Sequence, residues 1–300
     1  MSTPDSALER YLSSLRSGRR LAAHTLKAYS RDAQLLYALA GDRPIEKLAS
    51  HDIRRFIGTL HSKGLAPRSL ARVLSSWRSL FDWLRRQREV EVNPCAGVRP
   101  PKFTKALPGM LSPDEAVRLV TADAPSAPTV CDRALFELAY SSGLRVSELT
   151  GLDVDAIDAQ KGEARVTGKG SKTRIVPVGT HALEALARWL EVRAKLIRPG
   201  ETALFVGRSG RRLTPREVQR RIKRRAAAAG IDQDVYPHML RHSFASHVLQ
   251  SSGDLRAVQD MLGHDSIAST QVYTHLDFQH LAKVYDAAHP RARRAKAPKK

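Results

Sequence analysis

Apolar residues recur at three- and four-residue spacing through Leu70, Leu74, Trp77, Leu80, Phe81 and Leu84, the period of one buried helix face. Arg68, Arg72, Arg78, Arg85 and Arg86 lie between them, several on the opposite, polar face. Just upstream, Ser50-His51-Asp52-Ile53 reads as an N-cap with an acidic first turn, and Gly64 as a stop. Pro67 then suits the first turn of the next helix, where a missing N–H costs nothing. Residues 5–88 read as four helices in all.

Between 89 and 110 the periodicity fails and Pro94, Pro100, Pro101 and Pro108 appear, with Lys102 and Lys105 among them. Such a segment is a semi-extended linker. Ser112-Pro113-Asp114-Glu115 opens a further helix with a capping box. A helix over 131–141 runs into Gly143 and leaves Arg145 at a helix-to-helix junction. Two β-prone runs, 163–166 and 173–178, flank Gly168-Lys169-Gly170-Ser171-Lys172, which predicts a hairpin with Lys169 near its tip. Leu183, Leu186, Leu190 and Ile197 mark a long helix ending near Pro199-Gly200, and 203–206 reads as a short strand. Thr214-Pro215-Arg216-Glu217 caps the most basic helix, with Arg220, Arg221, Lys223, Arg224 and Arg225. Helices follow from Pro237 and over 254–262, the latter with Gly263 as a left-handed cap. Phe278, Leu281, Tyr285 and Ala288 form one more apolar stripe, and 291–300 is a low-complexity basic end expected to be disordered.

The fold class is therefore mainly α with a small β-sheet. An N-terminal four-helix domain (1–88), a linker (89–110), a mixed α/β domain (111–288) and a basic tail (289–300) are expected.

Charge narrows the function. Fifty Lys and Arg against 30 Asp and Glu give a net charge of +20, which points to a polyanion. Double-stranded DNA leads over a membrane surface, because no basic helix also carries a broad apolar face. With 42% hydrophobic residues in 300 the chain can build two cores. Its apolar runs are short, and residues 1–5 lack a signal-peptide pattern. Cys95 and Cys131 alone cannot make a disulfide framework, so a cytoplasmic location is expected.

Candidate chemistry gathers late in the chain. In Pro237-His238-Met239-Leu240-Arg241-His242, His238 and Arg241 leave one helix face a turn apart. Leu262-Gly263-His264 puts a second histidine after a rigid terminus, and Tyr273 follows in a polar segment. No carboxylate lies inside these stretches, although Asp265 follows directly. The pattern favours stabilising an anion over metal-assisted hydrolysis. His238 and His242, four apart, have zinc spacing, but the intervening Arg241 and the missing glutamate argue against a metal. Neither metal nor cofactor is expected. Taken singly, each histidine or arginine is ordinary; their combination is not.

Gly143-Leu144-Arg145-Val146-Ser147-Glu148-Leu149, His238-x-x-Arg241, Leu262-Gly263-His264 and Tyr273 resemble the signature boxes of the tyrosine recombinases, over nearly the whole chain. The runs from Tyr273 to Leu281 and from Tyr285 to Ala292 resemble its chromosome-dimer branch. That resemblance implies a core-binding domain, a catalytic domain, and a metal- and ATP-independent transesterase forming a 3′-phosphotyrosyl link. It implies Tyr273 as nucleophile, with Arg145, Lys169, His238, Arg241 and His264 as its catalytic neighbours; Lys169 is preferred to Lys172 on that ground alone. It further implies a dif-like DNA site, a XerD-like partner in a heterotetramer, an FtsK-like translocase as regulator, and docking of the 278–288 stripe on a neighbouring subunit. A non-catalytic DNA-binding regulator and a metal-dependent nuclease are the competing readings. A covalent adduct formed without metal separates all three.

Overall fold

The computed structural model describes residues 4–19, 23–102, 109–121, 127–168, 172–262 and 284–292. Two compact units emerge, Met1–Ala106 and Leu107–Lys300.

The first unit holds α1 (Pro4–Arg19), α2 (Ala23–Ala40), α3 (Ser50–Ser62) and α4 (Pro67–Arg86), with a 3-10 turn at Ile45–Lys47. All six apolar stripe residues of α4 are buried. Trp77 ties α4 to α2 by donating its indole N–H to the Asp32 carbonyl at 2.6 Å, and its ring meets the edge of Phe56 at 6.5 Å. Arg72 pairs with the buried Asp32 carboxylate, so one arginine of the expected polar face serves packing. Ser50 lies inside α3, with Ala49 at the cap position. The Asp52 carboxylate reaches back to the Ala49 N–H at 3.0 Å, and this capping displaces the serine from the role its sequence position suggested.

Within the expected linker, Asn93, Pro94, Cys95 and Val98 are buried. Cys95 and Val98 enter the first core, Asn93 donates to the Arg78 carbonyl at 3.0 Å, and Arg78 donates to the Val98 carbonyl at 3.1 Å. A linker reading from composition alone misses this, because the anchors are side chains of α4 far away in sequence.

The second unit is built from α5 (Pro113–Thr121), α6 (Ala127–Ser141), α7 (Val146–Gly151), β1 (Ile157–Asp158), β2 (Glu163–Thr167), β3 (Thr173–Pro177), α8 (Thr180–Ala194), α9 (Pro215–Ala228), α10 (Pro237–Ser252) and α11 (Leu255–Leu262). Among the described residues the strands form one antiparallel sheet in the order β1-β2-β3. Val166 faces Arg174 across the β2–β3 ladder and Ala164 faces Val176. β1, only two residues long, leaves no readable period. Both capping boxes form: Ser112 with Glu115, and Thr214 with Glu217.

Two expectations change. α8 stops at Ala194, where Arg193 folds over to donate to the Ala203 carbonyl at 2.8 Å. Residues 203–206 make only the isolated bridges Asp153 to Ala203 and Val206 to Arg212, too few consecutive pairs for a strand. On α9, Arg221 pairs with Asp132 at 2.6 Å. Arg225 donates to the carbonyls of Leu119 and Val120 at 2.6 and 2.8 Å, satisfying the last turn of α5. Two of that helix's six cations are therefore structural, while Arg220 and Arg224 stay exposed.

α10 is braced at its start. Ser243 accepts from the Leu111 N–H at 3.0 Å and donates to the Met239 carbonyl at 2.9 Å. A Cβ on Gly109 would come within 2.7 Å of the Met239 methyl, so Gly109 lies directly against the helix.

A short helical turn at 284–288 closes the described chain. Tyr285 and Ala288 of the predicted stripe are buried in their own unit, with the Tyr285 hydroxyl 2.6 Å from that of Ser141. These two side chains thus pack in cis rather than on a neighbour; Phe278 and Leu281 lie outside the described residues. The expected tail also begins later than residue 289. Arg291 forms a buried, bidentate pair with Glu137, and its basic composition hid a core role. Removing one partner of such a pair leaves the other charged and buried. Arg291→Ala is therefore expected to lower the unfolding free energy of the full chain by about 3–5 kcal/mol, measured by urea denaturation; a loss under about 1 kcal/mol would contradict the pairing. No helix among the described residues is long and apolar enough to cross a membrane.

Candidate active site

Gly143, between α6 and α7, has φ 57°, a conformation that favours glycine. A Cβ there would also sit 2.4 Å from the Phe244 ring, so the backbone can approach α10 only as glycine. That approach puts the Gly143 carbonyl where Arg241 Nη1 donates to it at 2.6 Å. Arg241 Nη2 donates to the Leu262 carbonyl at 2.6 Å, at the end of α11. One guanidinium thus fixes three separate segments.

Two residues beyond Gly143, Arg145 caps α7. Its backbone N–H and its Nη1 donate to Glu148 at 2.9 and 2.8 Å. Glu148 is buried and also accepts two bonds, each 2.9 Å, from Arg174 on β3. The Arg241 Nη1 lies 3.8 Å from its other side. Three arginines therefore surround one carboxylate. The sequence stretches suggested no carboxylate at this centre; the structure corrects that. In the sequence Glu148 stands only as a member of the Gly143–Leu149 box, and the i, i+3 spacing to Arg145 was the signal that could have flagged it. Both of its oxygens already accept two bonds, which uses the lone-pair directions a metal would need. Among the described residues no group of side chains is arranged as a metal site.

The electrostatics follow from this crowding. Burial alone would raise the Glu148 carboxyl, yet the bonds from Arg174 and the Arg145 N–H, with the arginine charges, pull it down to about 2. Burial, and then the charge of Arg145, lower Arg241 to about 10 against the opposing effect of Glu148. His238, one turn before Arg241 on α10, is pushed below its ordinary value by burial and by the charges of Arg241 and Arg145. At neutral pH it is an uncharged imidazole within the field of two cations. With one anion among three guanidinium groups, the site keeps surplus positive charge, and Arg145 remains about a third exposed. An entering anion would be bound there, and a neutral base would stand beside it.

Arg145, His238 and Arg241 are thus brought together. Lys169, His264 and Tyr273 lie outside the described residues. Their described flanks are the β2–β3 turn, where the Gly168 N–H donates to the Lys172 carbonyl at 2.8 Å, and the end of α11 at Leu262.

The family model for the phage integrase family matches residues 110–280, and that for the phage integrase N-terminal SAM-like domain matches residues 8–88. The chain belongs to the phage integrase family. Its similar full-length relatives are tyrosine recombinases XerC: that of Ralstonia pickettii (strain 12J) is 50% identical over 97% of this chain and 95% of the relative. That of Alcanivorax borkumensis is 47% identical over 95% and 94%. Among solved structures, XerA recombinase aligns with a TM-score of 0.50 at 28% identity, covering 94% of this chain and 98% of that one. XerH bound to a palindromic difH substrate, a post-cleavage complex, shares the fold at TM-score 0.70 and 21% identity, covering 93% and 84%. The chain is accordingly a site-specific recombinase of the XerC-like kind, an enzyme that cuts and rejoins DNA.

Proposed function

We propose that the chain exchanges DNA strands by transesterification, with Tyr273 attacking a scissile phosphate to form a 3′-phosphotyrosyl link and release a 5′ hydroxyl. A partner strand's 5′ hydroxyl then attacks that link and frees the tyrosine, so the ester bond energy is kept and no ATP or metal is needed. The convergence of Arg145 and Arg241 on Glu148, with neutral His238 close enough to feel both arginine charges, carries the reading. The two guanidinium groups hold the non-bridging oxygens and favour the extra charge of the pentavalent transition state. His238 accepts the phenolic proton. His264 donates one more hydrogen bond, and Lys169, in its glycine-rich turn, protonates the leaving 5′ oxygen. Residues 1–88 serve as the core-binding domain on double-stranded DNA and 111–288 as the catalytic domain. In the cytoplasm the enzyme acts with a XerD-like partner in a heterotetramer at a dif-like site, resolving chromosome dimers under an FtsK-like translocase. Similarity to XerC relatives over nearly the whole chain supports this reading.

The test is a suicide DNA duplex in chelator, read on a denaturing gel. A covalent adduct supports the mechanism; cleavage that needs added metal, or none at all, refutes it. The pH profile adds a second check. Because the His238 pKa is lowered, its basic form persists below pH 6.5, and single-turnover cleavage should stay level from neutral pH and fall only below about 6.5. A midpoint above that value would contradict His238 as the base.

A further inference from the structure

We infer that Arg174 is a positioning residue of the cleavage site, one that holds Arg145, Arg241 and the end of α11 in register without touching DNA. The inference rests on the proposed mechanism.

β3 alternates exposed and buried side chains, and Arg174 takes an inward position beside Val176, opposite buried Val166. An apolar residue is the ordinary occupant of such a site. A buried arginine there contributes little that a well-packed apolar side chain would not, so its bonds have to be explained by what they hold. All three of its nitrogens are engaged: Nη1 and Nη2 on the two oxygens of Glu148, each at 2.9 Å, and Nε on the Met261 carbonyl at 3.1 Å. Arg241 grips the next carbonyl, Leu262, at 2.6 Å. Two arginines thus clasp the last turn of α11, the point from which the chain proceeds to His264 and Tyr273.

The bidentate bond also sets the Glu148 charge. With Arg174 in place, the carboxylate is shared, and Arg145 takes one oxygen while Arg241 stays 3.8 Å away. Without it, the buried carboxylate has only Arg145 and Arg241 to neutralise it, and both would be drawn from the phosphate. Lysine cannot substitute, because a single ammonium lacks the planar fork that bonds both oxygens and the carbonyl together.

The experiment compares wild-type protein, Arg174→Lys and Arg174→Gln on a suicide duplex carrying either a normal scissile phosphodiester or a methylphosphonate, whose missing charge removes the need for paired guanidinium groups. Affinity and melting temperature are measured in parallel. Arg174→Lys should bind DNA within about threefold of wild type and cleave the phosphodiester at least tenfold more slowly, with the deficit shrinking on the methylphosphonate. Cleavage within twofold of wild type, or equal slowing on both substrates, would overturn the inference. So would failure of both variants to fold, which would assign Arg174 to stability alone. Absence of any adduct from the wild-type protein would instead defeat the transesterification reading itself.

Discussion

Tyr273→Phe should bind a duplex as tightly as the wild-type chain and form no covalent adduct with it. The change removes one phenolic oxygen and leaves all 50 lysines and arginines in place, and counterion release by those that meet phosphate sets the affinity. Chemistry, by contrast, has no substitute nucleophile. A free phenol near pKa 10 is only about 0.1% ionised at neutral pH, so in the proposed mechanism the reaction depends on His238 as proton acceptor and on the cations beside it, none of which can attack phosphorus in its place. Binding is read by gel shift and the adduct on a denaturing gel. Any DNA-linked Tyr273→Phe protein would remove this residue from the mechanism.

The second large effect is expected at Arg241. Its guanidinium joins the Gly143 carbonyl to the Leu262 carbonyl and still carries charge next to Arg145. Arg241→Lys keeps a cation but cannot span both carbonyls and face a phosphate as well. The cleavage rate on suicide DNA should fall about 10²–10³-fold, the cost of losing one preorganised charge-stabilising donor, while affinity changes by less than about threefold because one cation of many is retained. Cleavage within tenfold of wild type would show that Arg241 acts on structure rather than on the reacting phosphate.

Much of this arrangement was legible in the sequence where the information is local. α4 follows its apolar stripe, the Ser112 and Thr214 capping boxes form, and the β2–β3 hairpin lies where two β-prone runs flank a glycine-rich turn. His238 and Arg241 share a face because the helix period puts them there. What escaped was non-local. Glu148 is central because Arg174, 26 residues later, and Arg241, 93 residues later by 241 minus 148, converge on it. Arg221 and Arg225 stood only as members of the most basic helix, and Arg291 as part of a basic tail expected to be disordered; burial pairs them with Asp132, two carbonyls of α5, and Glu137. A charge run shows how many cations exist, and only the tertiary structure sorts those spent on packing from those left for a ligand.

The hydroxyl of Ser243 has a mechanical consequence. It joins the Leu111 amide to the helix two residues past Arg241, and Gly109 lies flat against Met239 within the same turn. The backbone thus comes into this unit along the element that carries His238 and Arg241. Displacing Gly109 and Leu111 would therefore strain that hydroxyl bridge and the first turns of α10, so the helix that carries His238 and Arg241 is also the abutment for these residues.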